Sequence, residues 1–464
     1  MNNKKWGVWF LTAFVIGNMV GGGIFMLPAN LAQEASPIGS TLAWITTALG
    51  VWTIALVFGN LTMRRPDLKA GPQSYAQAMF SSSPKLGQAA GYSMAWGYWA
   101  ANWPATASVM ISFAGYLSTF FPIMGSKQIV FSIGSFPVEL GKLITFLVCS
   151  SMLWGIQWIL RNSFNGAGSI NFLATAAKVV GFALFIIVTL FIFNAANVAS
   201  DTFINTAGKA VPLGSQINGA AIATLWAFIG IESAVMLSNR AKSQRDVKVA
   251  TLLGLLVAVC IYIGITLLTM GALTQNELRE SQKPLVDALN MAIGSKGAAV
   301  LGILALISLF GSTVGWIVVS TEVPYQAANN GLFPAFFAKT NRKGSPIRSL
   351  TITNIMTQIF LFSTISGTVA QAYNFAIVVA TLAYLIPYLV SALFQLKLIF
   401  TGETYDTMKG NRGLDAVITF IALGYSLWVI KTGTADMKTF MLGIGLFAIG
   451  LVLYPIIMKN ERIR

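Results

Sequence analysis

Gly17-Asn18-Met19-Val20-Gly21-Gly22-Gly23-Ile24-Phe25 is the stretch on which the reading of this chain turns. It lies inside an apolar run near 7–33 that is long enough to cross a bilayer as a helix, which takes ~20 residues. Yet glycine costs about 1 kcal/mol relative to alanine in a helix interior. Three in succession at mid-depth predict that the helix opens there. Unwound backbone is tolerated inside a bilayer only where protein or a watery cavity satisfies it. Amides freed at the start of the second half-helix then face an anion, helped by the helix dipole. Carbonyls freed at the end of the first half can accept from an ammonium. Close helix packing through small residues is the competing explanation, although that motif spaces its glycines by four.

The whole chain supports a membrane setting. Of 464 residues, 55% are hydrophobic and 10% charged, with a mean hydropathy of +0.71. A soluble domain typically carries ~25% charged residues, so a soluble enzyme or a nucleic-acid-binding domain is excluded as the main reading. There is no histidine, which removes the commonest general base and metal ligand; neither cofactor nor metal is expected. Cys149 and Cys260 both lie in apolar runs and are expected as buried thiols rather than a disulfide. No cleavable signal peptide is evident.

Twelve apolar stretches are long enough to span, near 7–33, 38–62, 88–121, 139–160, 169–195, 217–239, 247–273, 297–328, 349–367, 371–398, 414–431 and 439–458. All are hydrophobic nearly all round, so the expectation is an all-α integral membrane protein rather than a barrel. With the N-terminus in the cytoplasm, the inner side receives 21 Lys and Arg and the outer side eight, leaving only Lys178 inside a span. A missed span would invert every later loop and spoil this bias. The net charge of +15 is thus first a topology signal, with both termini cytoplasmic and the chain multi-pass in the inner or plasma membrane.

A second span breaks the helical rules. Span 6 reads Thr224-Leu225-Trp226-Ala227-Phe228-Ile229-Gly230-Ile231-Glu232-Ser233. A carboxylate at mid-membrane costs ~3 kcal/mol or more and usually faces a cavity or partner. Glu232 is read either as a proton-titrating or substrate-linked group or as a structural hydrogen-bonding group of a broken helix. Spans 1 and 6 lie five apart, and interrupted spans in corresponding positions of two halves point to an inverted-repeat binding site. The expected organisation is one domain over 1–464, with repeats over 7–195 and 217–398 and two extra helices over 414–458. Lys178, in Ala176-Ala177-Lys178-Val179-Val180, has no helix end to snorkel to; it is read as a proton-exchanging amine or as a fixed internal cation. Glu322 near the inner end of span 8 ranks below both. Among the aromatics, Trp226 and Trp316 stand out, being deep and beside glycine-containing helix; indole faces attract Lys-like and Arg-like cations.

At these residues the chain resembles the amino acid–polyamine–organocation transporters, and most nearly the basic amino acid/polyamine antiporters. The resemblance runs through nearly the whole chain. It is carried by Gly17 through Ala32, by Leu225-Trp226-Ala227-Phe228-Ile229-Gly230-Ile231-Glu232-Ser233-Ala234, and by Gly311-Ser312 through Gly315-Trp316 and on to Asn330-Gly331-Leu332-Phe333-Pro334. It implies a leucine-transporter-type fold with alternating access. It implies that the backbone of Gly21, Gly22 and Gly23, beside Asn18, receives a substrate carboxylate, and that carbonyls around Met19, Trp226 and Ile229 receive the α-ammonium. Trp226 matches a gating aromatic, Trp316 the aromatic against which a cationic side chain packs, and Tyr98 and Trp103 the span-3 aromatics of the pathway. Glu232 matches the family's span-6 glutamate, and Lys178 looks like the span-5 lysine of sodium-independent relatives. Two departures stand out: Trp103-Pro104-Ala105-Thr106 replaces a frequent Trp-Ile-Gly-Asn, leaving Thr106 as the candidate there, and Gly22 replaces a frequent serine.

The expected function is exchange of a cationic amino acid (arginine, ornithine or lysine class) for a related amino acid or amine. The alternative is proton-coupled symport of neutral amino acids. A membrane enzyme would need a nucleophile–base pair or a metal cluster, and a receptor would need a soluble output domain. Expected partners are the small amino acid or amine and the lipid bilayer, with no nucleic acid; self-association as a homodimer stays open.

Overall fold

The computed structural model describes residues 6–461 apart from 69–70, 134–135, 165–166, 206–207, 237, 239–240 and 407–409. Among the basic residues counted for topology, Lys4, Lys5, Lys69, Arg240, Lys409, Arg462 and Arg464 lie outside the described residues. The chain is predominantly helical. Its order is α1 (Val8–Met19), α2 (Gly23–Glu34), α3 (Pro37–Arg64), α4 (Pro72–Met79), α5 (Pro84–Leu117), the hairpin β1–β2 (Ile129–Ile133, Phe136–Glu139), α6 (Leu140–Asn162), α7 (Ala167–Thr189) and α8 (Ala195–Val198). There follow α9 (Leu213–Ala227), α10 (Ser233–Met236), α11 (Gln244–Ala272), α12 (Gln275–Glu280), α13 (Pro284–Asn329), α14 (Ile347–Leu361), α15 (Ser363–Ser366), α16 (Val369–Thr401), α17 (Arg412–Gly433) and α18 (Met437–Glu461).

Local chemistry sets several of these starts. Ser36 caps α3 by accepting from Gly39 N at 3.1 Å, with Pro37 just inside. Ser243 caps α11 through Asp246 N at 3.0 Å, and Thr368 with Gln371 forms a capping box on α16. The expected apolar stretches all fall on helices. Seven helices among the described residues are long and apolar enough to cross a membrane by themselves, and α1 with α2, bent by 46° at their break, adds a further broken span. The other expected stretches fall on α5, α7, α9–α10 and α14.

The structure departs from expectation in four places. The antiparallel hairpin β1–β2 interrupts an otherwise all-α reading, because Ile129-Val130-Phe131 is too short for a span and pairs across a turn instead. Cys260 is exposed, not buried, since it points outward from α11; Cys149 is buried. The helix carrying span 8 begins at Pro284, ahead of residue 297, and is broken at Gly294, whose φ is +73°. Short helices α4 and α12 occupy what reads as loop.

Packing places α5 at the centre, against α16, α13, α4 and α18, while α1 and α3 pack on α11, and α3 also on α9. The outside carries large apolar side chains such as Leu49, Trp158 and Phe191, as a lipid-facing surface requires.

Candidate functional site

The helix of span 1 stops at Met19. Val20 leaves helical geometry with ψ +64°, Gly21 N turns back to Met19 O at 2.7 Å, and α2 starts at Gly23. None of the three glycines has a positive φ; among the described residues that conformation occurs elsewhere, at Gly230 for one. What Gly22 and Gly23 need is room. A Cβ on Gly22 would stand 2.8 Å from Val109 Cγ1, and one on Gly23 would stand 3.0 Å from Trp226 Nε1. The first amides of α2 lack intrahelical acceptors, as at any helix start.

Span 6 breaks opposite it. α9 ends at Ala227, the chain turns through Phe228 to Glu232, and Gly230 takes φ +107°, where a side chain would be strained. A Cβ there would also press on Asn18 Cβ at 3.3 Å. The two breaks are tied directly, Asn18 Nδ2 donating to Ser233 Oγ at 2.8 Å and Ser233 Oγ to Gly230 O at 2.5 Å.

The freed carbonyls are met from inside the protein. Tyr262 of α11 presents its hydroxyl to Met19 O at 2.5 Å and to Ala227 O at 2.7 Å, bridging both breaks. A hydroxyl has one hydrogen, so Tyr262 donates to one of those carbonyls at a time, and Met19 O also accepts from Gly21 N at 2.7 Å. Trp44 stacks on Tyr262 at 5.3 Å and Phe228 meets it edge-on at 5.3 Å, which fixes the ring. The Lys178 ammonium donates to Val20 O. Tyr116 donates to Phe25 O at 2.8 Å.

Glu232 is fully buried and held by three donors: Tyr98 OH at 2.7 Å, Tyr388 OH at 2.6 Å and Gly230 N at 3.2 Å. Beside it Tyr384 donates to Asn102 Oδ1 at 2.7 Å, and Asn102 Nδ2 to Tyr98 O at 2.8 Å. This carboxylate therefore anchors α5, the span-6 turn and α16 together.

A cavity of about 30 Å³ lies between the breaks, bounded by Asn18, Gly21, Tyr98, Gly230, Ser312 and Trp316. That is room for roughly a water or two. Trp226 lies over Gly23 and stacks on Trp316, with centroids 6.1 Å apart and planes at 21°.

The structure thus gathers Asn18, Met19, Gly21, Gly22, Gly23, Tyr98, Trp226, Ile229, Glu232, Trp316 and Lys178 around the two breaks. Trp103 and Thr106 go elsewhere. Trp103 sits among Trp99 at 5.0 Å and Trp96 at 6.0 Å, and Thr106 donates to Asn102 O at 2.8 Å beside Ser320. In this conformation both lie in the packing around α5, away from the two breaks. Glu322 accepts from Gln326 Nε2 at 3.0 Å, one turn along its own helix. Sequence reasoning missed Tyr262, Tyr384, Tyr388, Ser233 and Ser312. The signal for the tyrosines is a phenol in an otherwise apolar span, since a buried hydroxyl needs a partner.

Residues 7–457 match the family model described as "Amino acid permease". The chain is 55% identical over 459 residues to a putative arginine/ornithine antiporter of Bacillus subtilis, covering 98% of each chain. It is 34% identical over 463 residues to an arginine/ornithine antiporter of Pseudomonas aeruginosa, covering 98% of this chain and 91% of that one. It is 32% identical over 461 residues to an arginine/agmatine antiporter of Chlamydia pneumoniae, covering 98% and 90%. With a family match and full-length relatives on this scale, the chain belongs to the amino acid permease family.

Proposed function

We propose that this protein is a sodium-independent antiporter of cationic amino acids, exchanging one of the arginine, ornithine or lysine class for a related amino acid or amine by alternating access. The observation that carries the reading is the meeting of two broken helices at one small cavity flanked by the stacked Trp226 and Trp316. The relatives named as arginine/ornithine and arginine/agmatine antiporters supply the substrate class.

The amides of Gly22 and Gly23, joined by that of Gly21 once it leaves Met19 O, hold the substrate carboxylate beside Asn18 at the positive end of α2. The α-ammonium takes the carbonyl to which Tyr262 is not donating, with the carbonyls near Trp226 and Ile229. The substrate's distal cation lies on the face of Trp316, and entry requires Trp226 to leave its stacked position. Glu232 with Tyr98 and Tyr388 closes the opposite side. The ammonium of Lys178 serves as a resident cation at the span-1 break. In this reading twelve spans form two five-span repeats over 7–195 and 217–398, with 414–458 appended. Both termini face the cytoplasm of a cell-membrane carrier.

Counterflow in proteoliposomes tests it. Labelled arginine is expected to accumulate only when ornithine or another partner is preloaded inside. Uptake into vesicles without internal substrate, driven by an imposed proton gradient, would replace exchange with symport.

A further inference from the structure

A second cavity, of about 180 Å³, lies apart from the helix breaks, between α5, α14 and the segment that follows α13. Its wall is aromatic and aliphatic throughout, formed by Trp96, Trp99, Trp103, Phe337, Ile352 and Met356 among others. It exceeds the ~150 Å³ apolar cavity that accepts a benzene ring. The wall is built firmly: Trp99 meets Trp103 edge-on at 5.0 Å and Phe337 at 5.3 Å, and Trp99 Nε1 donates to Thr353 Oγ1 at 2.9 Å. Around it the surface stays apolar, with Phe336, Ile355 and Ile359 all exposed.

Basic residues gather at one end of this cavity. Arg348 stacks its guanidinium on Phe336 at 4.2 Å, and Phe336 touches Phe337 of the cavity wall at 5.6 Å between ring centres. Lys339, Arg342 and Lys343 follow within a few residues, and Asn341 Nδ2 donates to Arg161 O at 2.8 Å, which draws in Arg161. The sequence has no Asp or Glu between Glu322 and Glu403. None of the ion pairs among the described residues involves these five cations. Arg348, Ile352 and Met356 repeat every four residues along one face of α14, so cation and cavity wall are stacked along the helix. At 1.5 Å rise per residue the far wall lies about 12 Å deeper than the guanidinium.

We propose that this juxtaposition is a binding site for one anionic glycerophospholipid of the cytoplasmic leaflet, its phosphate on Arg348, Lys339 and Arg342 and an acyl chain in the aromatic cavity. The charge supplies the choice of headgroup, since five cations without a carboxylate complement an anion. The depth supplies the choice of lipid, since phosphate and hydrocarbon are offset in the same sense as the cations and the cavity. A soluble anion would leave the cavity unfilled.

The tryptophans in the wall make the site readable. The purified protein is reconstituted in phosphatidylcholine vesicles containing about 20 mol% of either dibrominated phosphatidylglycerol or dibrominated phosphatidylcholine, whose bromines are the same quencher. Tryptophans facing bulk lipid are quenched alike by both. The site is expected to add quenching with phosphatidylglycerol, fitted by a preference of about tenfold or more, because each basic side chain near an anionic lipid contributes roughly a factor of five. The triple variant Lys339→Gln/Arg342→Gln/Arg348→Gln, at two exposed positions and one half-buried one, is expected to abolish the excess. Ile352→Phe/Met356→Phe, which places two rings in the cavity and leaves the charges, is expected to abolish it as well. Equal quenching by the two lipids in the unmodified protein, or an excess that survives either variant, overturns the proposal. None of these readouts requires transport, so failure of the exchange reading leaves the test intact.

Discussion

Placing an alanine at position 22 tests whether the span-1 break is tuned by space. Gly22 sits at φ −65°, a conformation any residue adopts, so the backbone imposes no penalty. The obstacle is Val109 of α5, whose Cγ1, Cγ2 and Cβ would stand 2.8, 3.0 and 3.1 Å from the new methyl. Carbon atoms prefer about 3.5–4.0 Å, so α2 and α5 must separate by several tenths of an ångström. Valine cannot rotate away cheaply, because β-branched side chains in helices hold essentially one rotamer. Overpacking of this kind costs about 1–3 kcal/mol. It falls where the α2 amides are aimed, and misplacement on the ångström scale can cost about a hundredfold in function. We therefore expect Gly22→Ala to lower the thermal unfolding midpoint and weaken arginine exchange by roughly 10- to 100-fold. Val109→Ala in the same chain opens the space, and a double-mutant cycle should give a coupling of at least about 1 kcal/mol. The readouts are fluorescence-monitored unfolding in detergent and the KM of counterflow. If Gly22→Ala matches the parent in both, steric exclusion by Val109 is not why glycine stands there.

Three further outcomes follow from the same geometry. Trp316→Leu should weaken cationic substrate by about 3- to 30-fold, the range of a cation–π contact, with neutral competitors little affected; equal losses would remove the stacking role. Gly230→Ala should destabilise by about 1–3 kcal/mol, because φ +107° excludes a side chain; Gly264→Ala, with open space around it, is the control and should be neutral or slightly stabilising in the same melts. Lys178→Ala strips the donor from Val20 O and should alter the pH profile of exchange; a superimposable profile would make the ammonium a fixed structural cation.

The breaks themselves were legible because glycine runs and a lone carboxylate violate what a lipid-buried helix tolerates. The glycine run marks the opening within a few residues, the helix in fact ending at Met19 and resuming at Gly23, and Gly230 beside Glu232 marks the second break. What the sequence suggested for Gly21, Gly22 and Gly23 was conformational freedom, whereas Gly22 and Gly23 answer to neighbours 87 and 203 residues away, Val109 and Trp226. Long-range proximity of that kind has no periodic signature. For the same reason Tyr262 was passed over: its value depends on two carbonyls that meet only when α1 and α9 are both broken. Trp103 poses the opposite difficulty. A tryptophan in the middle of a helix is equally at home in a packed cluster, and only the facing residues decide which. The hairpin after α5 escaped notice because a five-residue strand with four apolar side chains carries too little pattern to separate strand from loop.

The ammonium that caps Val20 is covalently part of the chain. Unlike a dissolved ion it never departs with cargo, so in the proposed cycle no inward leak of metal accompanies each turnover. The net work of transport is then fixed by concentration ratios, with the membrane potential added when an amine of different charge is traded, and by those ratios alone when both solutes carry the same charge. Such a carrier settles at parity between those ratios and reverses whenever the cell's internal stock of one partner runs down.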